Sequence, residues 1–419
     1  MPASRPLLYR GWWMIAALSA TLTTSYGILF FAFTVYLPDM EAEFGWSRAT
    51  LTGAFSVAML VSGFSSIPIG RYLDAHGARR VMTGGSILAA LLLVAWSQVQ
   101  SLPLYYLIWA ALGLSMAACF YEPAFVLLAN WFVRKRARAL TLLTFGAGFG
   151  SVVFVPVATA LAHRYGWRGG VLGLAAILAV VTIPLHALVL RRRPQDHGLL
   201  PDGAPPAAAD APASTLRAET SMSQRDALRT PAFWWIAAAF CMTIVANVAM
   251  LIHLVSYLRD RGFSPAFAAS AVAATGLVAL PGRLIFTPLG AIVPRRLIAV
   301  LIFSLQGFGL LALLLGESER SVWVFVVLFG AGMGAINPAR AQIVVEFFGP
   351  RNYGAINGVL AFWMTMFRAI APLGASLLFT VWGGYAPVIW VLTALSFLAC
   401  VAISFASSPR RPVPAEVAA

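Results

Sequence analysis

Twelve long apolar stretches run along this chain of 419 residues, and they constrain its fold more than any other feature. A helix needs about 20 mostly apolar residues to cross roughly 30 Å of hydrocarbon. One polar segment near residue 210 separates the first six stretches from the last six. The predicted spans are 12–38, 49–69, 81–98, 103–131, 139–162, 169–190, 232–258, 266–290, 297–315, 321–342, 355–380 and 386–406.

The composition indicates an integral membrane protein. Hydrophobic residues make up 60% of the chain and charged residues 11%, which is far from the balance of a soluble domain. Backbone polar groups find no water inside a bilayer, so only helices and closed barrels cross it. Because the stretches are too continuously apolar for the alternating strands of a barrel, we predict an all-α integral membrane protein with twelve transmembrane helices.

The net charge of +14 is explained by topology. If the N-terminus is cytoplasmic, 20 of the 29 Lys and Arg residues lie in cytoplasmic segments, six lie outside and three lie within spans. Basic residues collect on the cytoplasmic side of membrane proteins. We therefore predict a multi-pass protein of the plasma (inner) membrane with both termini cytoplasmic, and we expect no nucleic-acid partner.

The two halves of the chain repeat one another. Four pairs of residues recur at offsets of 221, 220, 215 and 216. They are Tyr36 and Tyr257, Pro68 and Pro288, Pro123 and Pro338, and Pro156 and Pro372. Four matches in order predict a duplicated six-helix unit, and transporters built from such repeats bind substrate near the membrane midplane between the halves.

The polar segment between the halves is rich in proline and alanine from Pro201 to Pro212. Such a sequence cannot bury a core, so we expect a disordered linker. The predicted domains are an N-terminal six-helix bundle at 1–190, a cytoplasmic linker at 191–231 and a C-terminal six-helix bundle at 232–419.

The loop after the second span carries a motif of glycines and charges. It reads Gly70-Arg71-Tyr72-Leu73-Asp74-Ala75-His76-Gly77-Ala78-Arg79-Arg80. This resembles the signature loop of the major facilitator superfamily, from which Tyr72, Ala75 and Ala78 depart. The resemblance implies two six-helix bundles that alternate access to a central site.

We predict that the matching residues of this motif form a gate. They are Gly70, Asp74, Gly77 and Arg79. Glycines permit tight turns at helix ends, and we expect Asp74 to cap the third span or to pair with Arg134 or Arg136.

A narrower resemblance covers most of the chain. Its segments are Asn130–Ala139, Gly146–Gly150, Tyr165–Arg168, His253–Leu258 and Gly282–Leu284. They look like the monocarboxylate-porter branch of the superfamily, which includes the oxalate:formate antiporters. The resemblance implies transport of small carboxylates through a site that contains the arginine of the eighth span.

Two arginines lie in the middle of predicted spans, Arg283 in the eighth and Arg368 in the eleventh. An arginine at the centre of a bilayer costs about 2.5–3.5 kcal/mol on insertion scales, so both should face the protein interior. A bound anion would offset this cost, since the guanidinium fork suits a carboxylate. An internal ion pair is the alternative for both, whereas Arg340, near a span end, is expected to snorkel or to join a gate pair.

Other polar residues of the spans complete the predicted site. Glu122 is the only acid deep within a span. Removal from water favours the protonated form of a carboxyl group, so Glu122 is our candidate for proton coupling, with a fixed ion pair as the alternative. Tyr26, Tyr121 and His253 are predicted to contact substrate, or else to pack and hydrogen-bond within the helices.

Two departures from the monocarboxylate porters concern coupling. Eukaryotic members carry a lysine in the first span, whereas the only lysine here is Lys135, in a loop. The acid expected one turn before the arginine of the eighth span is Ala279. Proton coupling therefore depends on other residues, and exchange stays an alternative.

The predicted function is secondary active transport of small, monocarboxylate-like organic anions, with proton coupling as one mode. The alternatives are export of apolar or cationic compounds and, in another class, a non-transporting membrane sensor. We expect no enzyme, since no Ser/His/Asp or Cys/His cluster appears, and no metal or cofactor. The expected partners are an anionic small molecule and the lipid bilayer, and we expect a monomer.

Overall fold

The computed structural model describes residues 9–203, 221–289 and 292–408, and within these ranges all regular structure is helical. The α-helices are α1 (Arg10–Tyr26), α2 (Phe33–Phe44), α3 (Arg48–His76), α4 (Ala78–Ser97), α5 (Leu102–Cys119), α6 (Tyr121–Trp131), α7 (Arg136–Ala147), α8 (Gly150–Pro184), α9 (Gln224–Arg229), α10 (Pro231–Asp260), α11 (Pro265–Leu289), α12 (Arg295–Leu315), α13 (Glu319–Phe348), α14 (Tyr353–Trp382) and α15 (Tyr385–Phe405). The predicted all-α architecture is confirmed.

Eleven segments of the described chain are long and apolar enough to cross a membrane, against twelve predicted spans. The difference lies in one segment of 54 residues, Arg136–Val189. At about 1.5 Å per residue it would measure roughly 80 Å, more than twice the hydrocarbon thickness. Gly166 interrupts α8 with φ 68° and ψ 171°. The segment therefore contains two crossings, which correspond to the fifth and sixth predicted spans.

The described chain divides into two compact units. Unit 1 comprises the chain up to Ser221 together with Gly349–Phe362, and unit 2 comprises Met222–Phe348 and the chain from Trp363 onward. By chain order, Gly349–Phe362 belongs to the C-terminal bundle, but its contacts are with the N-terminal one. The first residues of α14 are consequently part of unit 1.

In both units, glycines allow neighbouring helices to pack closely. In unit 1, a side chain at Gly113 of α5 would collide with the backbone of Ala58 in α3. In unit 2, Gly334 of α13 lies against the backbone of Ala279 in α11, and Gly282 of α11 lies against the backbone of Ala331. Small residues allow helix backbones to approach in this way within membranes.

The predicted disorder of the linker is wrong at its beginning. Pro201–Gly203 forms a 3-10 turn, and the Asp202 carboxylate accepts hydrogen bonds from the backbone N–H groups of Arg134 at 2.7 Å and Lys135 at 2.9 Å. The charge-assisted hydrogen bonds of one carboxylate to the backbone offset the poor hydrophobicity of this stretch. Ala204–Pro212 lies outside the described residues, and α9 forms before unit 2 continues.

Candidate functional site

Four spans of unit 1 depart from regular α-helix, the sixth only at its end, where Leu185–Val189 forms a π-helical turn. The first span forms a π-helical turn at Gly27–Phe31. The fourth is broken at Phe120, where ψ is −157° between α5 and α6, and the fifth is interrupted at Gly148 and Phe149 between α7 and α8. Such interruptions are concentrated at functional sites in helical membrane proteins.

The interrupted spans contact one another through aromatic rings. The Tyr26 ring stacks on Phe120 at a centroid distance of 3.9 Å and lies 5.0 Å from the Tyr121 ring. Gly27 is packed against Phe154 of α8 with no room for a Cβ atom. The structure thus brings together two of the predicted substrate-contact residues, Tyr26 and Tyr121, at the break of the fourth span.

Glu122 lies in the first turn of α6, directly after this break. Its side chain is half-buried, and its Oε2 accepts a hydrogen bond from Nδ2 of Asn357 in α14. The N-terminus of a helix also favours negative charge. Sequence reasoning missed Asn357, although a lone amide in an apolar span is costly enough to have marked it.

The predicted gate residues lie at the junction of α3, α4 and α14 within unit 1. The Asp74 carboxylate accepts hydrogen bonds from the backbone N–H groups of Gly354 at 2.8 Å and Ala355 at 2.7 Å. Asp74 therefore caps the N-terminus of α14. Gly70 approaches the backbone of Gly354 too closely for any side chain.

The prediction that Asp74 caps the third span or pairs with Arg134 or Arg136 was wrong. Arg136 is buried, and its Nε and Nη2 donate to the backbone carbonyls of Phe132 and Ala129. The N-cap residue of α4 is Gly77, whose φ of 81° requires glycine, and no side chain caps this helix. Arg79 is exposed. The hydrogen-bond partners of the Asp74 carboxylate are thus backbone amides rather than an arginine.

The predicted anion-binding arginines both lie in unit 2. Arg283 of α11 is half-buried, and its Nε donates to the backbone carbonyl of Gly334 in α13 at 3.2 Å. Arg368 of α14 is also half-buried. Arg340 is only 3% exposed and its Nη1 contacts Sδ of Met364 at 3.4 Å, so the prediction that it snorkels is wrong. Three spans of unit 2 therefore carry a guanidinium.

His253 uses both ring nitrogens inside unit 2. Nδ1 lies 3.1 Å from the hydroxyl of Tyr385, and Nε2 lies 3.3 Å from the carbonyl of Pro372. A carbonyl only accepts, so Nε2 carries a proton. The hydroxyl of Tyr257, one turn after His253, donates instead to the carbonyl of Leu313. His253 thus connects α10 with α14 and α15.

The family model described as Major Facilitator Superfamily matches residues 18–318 and 260–419. The chain belongs to this superfamily. Two relatives support its monocarboxylate branch. Monocarboxylate transporter 13 of Rattus norvegicus is 28% identical over 344 residues, which are 81% of this chain and 76% of that protein. Monocarboxylate transporter 11 of Homo sapiens is 28% identical over 387 residues, covering 88% of this chain and 77% of the relative.

Solved structures support the facilitator fold alone. The transporter FucP in the outward conformation aligns with a TM-score of 0.71 and 14% identity, covering 96% of this chain and 100% of FucP. A bacterial homologue of ferroportin in an outward-facing state aligns with a TM-score of 0.73 and 16% identity, again covering 96% and 100%. By the family match and the relatives, the protein is a multi-pass membrane transporter, as predicted.

Proposed function

We propose that this facilitator carries small, monocarboxylate-like organic anions across the plasma membrane, as a monomer with both termini in the cytoplasm. The observation that carries the proposal is the position of Arg283, half-buried in the middle of an apolar span. Its Nε is anchored on the backbone of α13, which holds the guanidinium in one orientation. A fixed guanidinium is suited to two parallel hydrogen bonds with a carboxylate.

Arg368 is proposed as the second positive group for the substrate. A centred arginine costs about 2.5–3.5 kcal/mol on insertion scales, and unit 2 carries such an arginine in two of its spans, at Arg283 and Arg368. An anionic cargo compensates such charge, whereas a cationic cargo would be repelled by it. The excess of arginine over acid within the spans therefore supports an anion as substrate.

The remaining predicted contacts supply shape and apolar surface. The stacked rings of Tyr26 and Phe120, with Tyr121 beside them, are suited to the hydrocarbon part of a small organic acid. His253 is proposed to hold α14, the helix of Arg368, through the carbonyl of Pro372. In this role His253 positions Arg368 and affects the substrate only indirectly.

Glu122 is proposed as the proton-coupling group. It is half-buried at an interrupted helix and so is reached by water while partly shielded from it. A carboxyl group that takes up a proton in one access state and releases it in the other performs the task of a proton symporter. Glu122→Gln, which cannot titrate, should abolish accumulation driven by a pH difference and preserve substrate exchange.

A cation exporter is the second candidate, because an acid beside aromatic rings also suits a cation. The observation that favours it is that Glu122 directly follows Tyr121, whose ring lies 5.0 Å from the Tyr26 ring. Thermal-shift screening of the purified protein separates the two candidates. Stabilisation by short carboxylates supports the anion proposal, and stabilisation by organic cations alone contradicts it.

Transport measurements test the arginine directly. In proteoliposomes, Arg283→Ala should reduce uptake of the stabilising carboxylate by at least about 30-fold, corresponding to the roughly 2–5 kcal/mol lost with a buried charged contact. Arg283→Lys should not restore uptake, since an ammonium keeps the charge and loses the fork. Arg320→Ala, at an exposed arginine, is the matched control. Unchanged uptake by Arg283→Ala at equal protein content would refute the assignment.

A further inference from the structure

The first turns of α14 are held in unit 1 by three polar side chains. Asp74 accepts from the helix N-terminus, as described above. The hydroxyl of Ser66 in α3 donates to the carbonyl of Gly358 at 2.7 Å. Between these two contacts, Asn357 donates to Glu122. Glu122 is therefore hydrogen-bonded to the same segment of α14 that Asp74 caps.

The Asn357 amide has an unusual hydrogen-bond balance. Its side chain is 1% exposed, and its Oδ1 has no hydrogen-bond partner in the described part of the chain. A side-chain amide presents two N–H donors on one side and an acceptor oxygen on the other. A half-turn of the amide would exchange the two sides and would break no hydrogen bond of Oδ1.

We propose that Asn357 is the positioning residue that serves both protonation states of Glu122, an inference that rests on the proposed role of Glu122 in proton coupling. When Glu122 is ionised, Nδ2 of Asn357 donates to the carboxylate. When Glu122 is protonated, its O–H donates to Oδ1 of the turned amide. The proton enters Glu122 from water and returns to water, and Asn357 transfers none.

Other titratable groups on the elements packed against α6 make contacts elsewhere or are exposed. On the elements packed against α6, Tyr26 of α1 stacks on Phe120, and Cys119 of α5 donates to the carbonyl of Met82. Asp74 of α3 accepts from α14, and Arg136 of α7 donates to backbone carbonyls. Arg79 of α4 is exposed, and Asp202 of the Pro201–Gly203 turn accepts from the backbone N–H groups of Arg134 and Lys135. Asn357 is the group of α14 whose hydrogen bond to Glu122 is seen directly.

The inference has a consequence for titration. A hydrogen bond donated to a carboxylate favours its ionised form, so loss of the donor should favour protonation. In Asn357→Leu, Glu122 should therefore titrate about one pH unit higher or more, from the strength of hydrogen bonds to charged groups. In Asn357→Asp, two adjacent carboxyl groups share a proton, and the upward shift should be larger.

The experiment follows the infrared C=O band of protonated carboxyl groups in the full-length reconstituted protein as pH is varied, with protons as the only probe. The band that Glu122→Gln removes reports Glu122. Asn247→Leu is the matched control, because Asn247 is a buried asparagine whose amide pairs with Gln306 in unit 2. The nearly isosteric Asn357→Asp covers the case in which Asn357→Leu does not fold.

The expected result is an upward shift of the Glu122 titration in either Asn357 variant and none in Asn247→Leu. An identical titration in wild type and in a folded Asn357 variant would overturn the inference. Failure of the proposed function is distinguishable, since it would appear as pH-driven accumulation by Glu122→Gln. In that case a shifted titration would still support the positioning role of Asn357.

Discussion

Unit 1 and unit 2 correspond largely to the two predicted six-helix repeats, and they differ in backbone regularity and in charge. The first, fourth and fifth spans are interrupted in unit 1. The corresponding seventh, tenth and eleventh spans are uninterrupted helices of 30 residues each, namely α10, α13 and α14. Three spans of the C-terminal half carry a guanidinium group, at Arg283, Arg340 and Arg368. Irregular backbone therefore distinguishes one half, and arginine within the predicted spans distinguishes the other.

The shared feature of the two units is close packing of helices through glycine. Gly113 of α5 packs against α3 in unit 1, and Gly334 of α13 packs against α11 in unit 2. Helix packing of this kind is independent of the polar groups that a cargo would need. A duplicated scaffold can therefore keep its packing while its two copies acquire different sites.

The largest effect is expected where an interruption depends on a missing side chain. In Gly27→Ala, the new Cβ would overlap Phe154, mostly at the base of its side chain, which cannot swing away. Overpacking of this kind costs about 1–3 kcal/mol. Gly276→Ala in α11 is the control, because that site is open and alanine is favoured over glycine in a helix by up to about 1 kcal/mol.

Thermal unfolding of the purified variants measures this difference. Gly27→Ala should unfold at a lower temperature than wild type, and Gly276→Ala at the same or a higher temperature. If Gly27→Ala were as stable and as active as wild type, the π-helical turn of the first span would not depend on this contact, and the contrast between the units would lose its main support.

An intermediate effect is expected at the arginines that fasten span ends. In unit 1, Arg168 donates to Glu43 and to the carbonyls of Ser97 and Val99. In unit 2, Arg261 donates from one nitrogen to Tyr257 and two carbonyls, and its acidic neighbour Glu317 is 4.0 Å away and 90% exposed. A lysine keeps the charge at either position and loses the multiple donors.

We expect Arg168→Lys to reduce the free energy of unfolding by about 1–2 kcal/mol and Arg261→Lys by less than about 1 kcal/mol, since exposed ion pairs contribute little. Denaturant unfolding of the two variants in the same detergent makes the comparison. Equal losses would indicate that the two fastenings are equivalent, contrary to the difference in their hydrogen bonds.

The sequence predicted the spans closely because a bilayer imposes their length and apolar character locally. The predicted fourth span, for example, ended at Trp131, where α6 also ends. The contacts within the candidate site were harder to predict from the sequence. Asn357 is 235 residues from Glu122, and Gly354 is 280 residues from Asp74. Pairing over such separations follows from tertiary packing, so neighbouring charges such as Arg134 were considered first. Arg340 was misjudged because nearness to a span end does not reveal burial.

The interruption at Phe120 had no sequence pattern of its own. The nearest proline, Pro123, lies inside the first turn of α6, where proline is tolerated. The turn at Gly166 was different, because a glycine marks it in the sequence. Gly166 has a φ of 68°, and the next two residues, Trp167 and Arg168, contact Glu43. The predicted boundary between the fifth and sixth spans, from residue 162 to residue 169, contains this turn.

The smallest effect is expected at the docked beginning of the linker, which only unit 1 possesses among the described residues. Asp202 accepts from consecutive backbone N–H groups, and Tyr9 bridges the carbonyls of Trp131 and Leu200 at 3.2 Å each. Burial raises the pKa of the Tyr9 hydroxyl, with a further contribution from Asp202, so it remains a neutral donor. The docking therefore depends chiefly on the Asp202 carboxylate.

Asp202→Asn should weaken this docking by about 1 kcal/mol, because an amide has one acceptor oxygen and no charge. The opening should be local, so amide hydrogen exchange should accelerate at Arg134 and Lys135 while α3 and α5 keep their protection. Asp196→Asn, at an exposed aspartate of the same segment, is the control. Faster exchange throughout unit 1 would mean that the linker supports the whole bundle, and unchanged exchange would mean that Asp202 does not hold it.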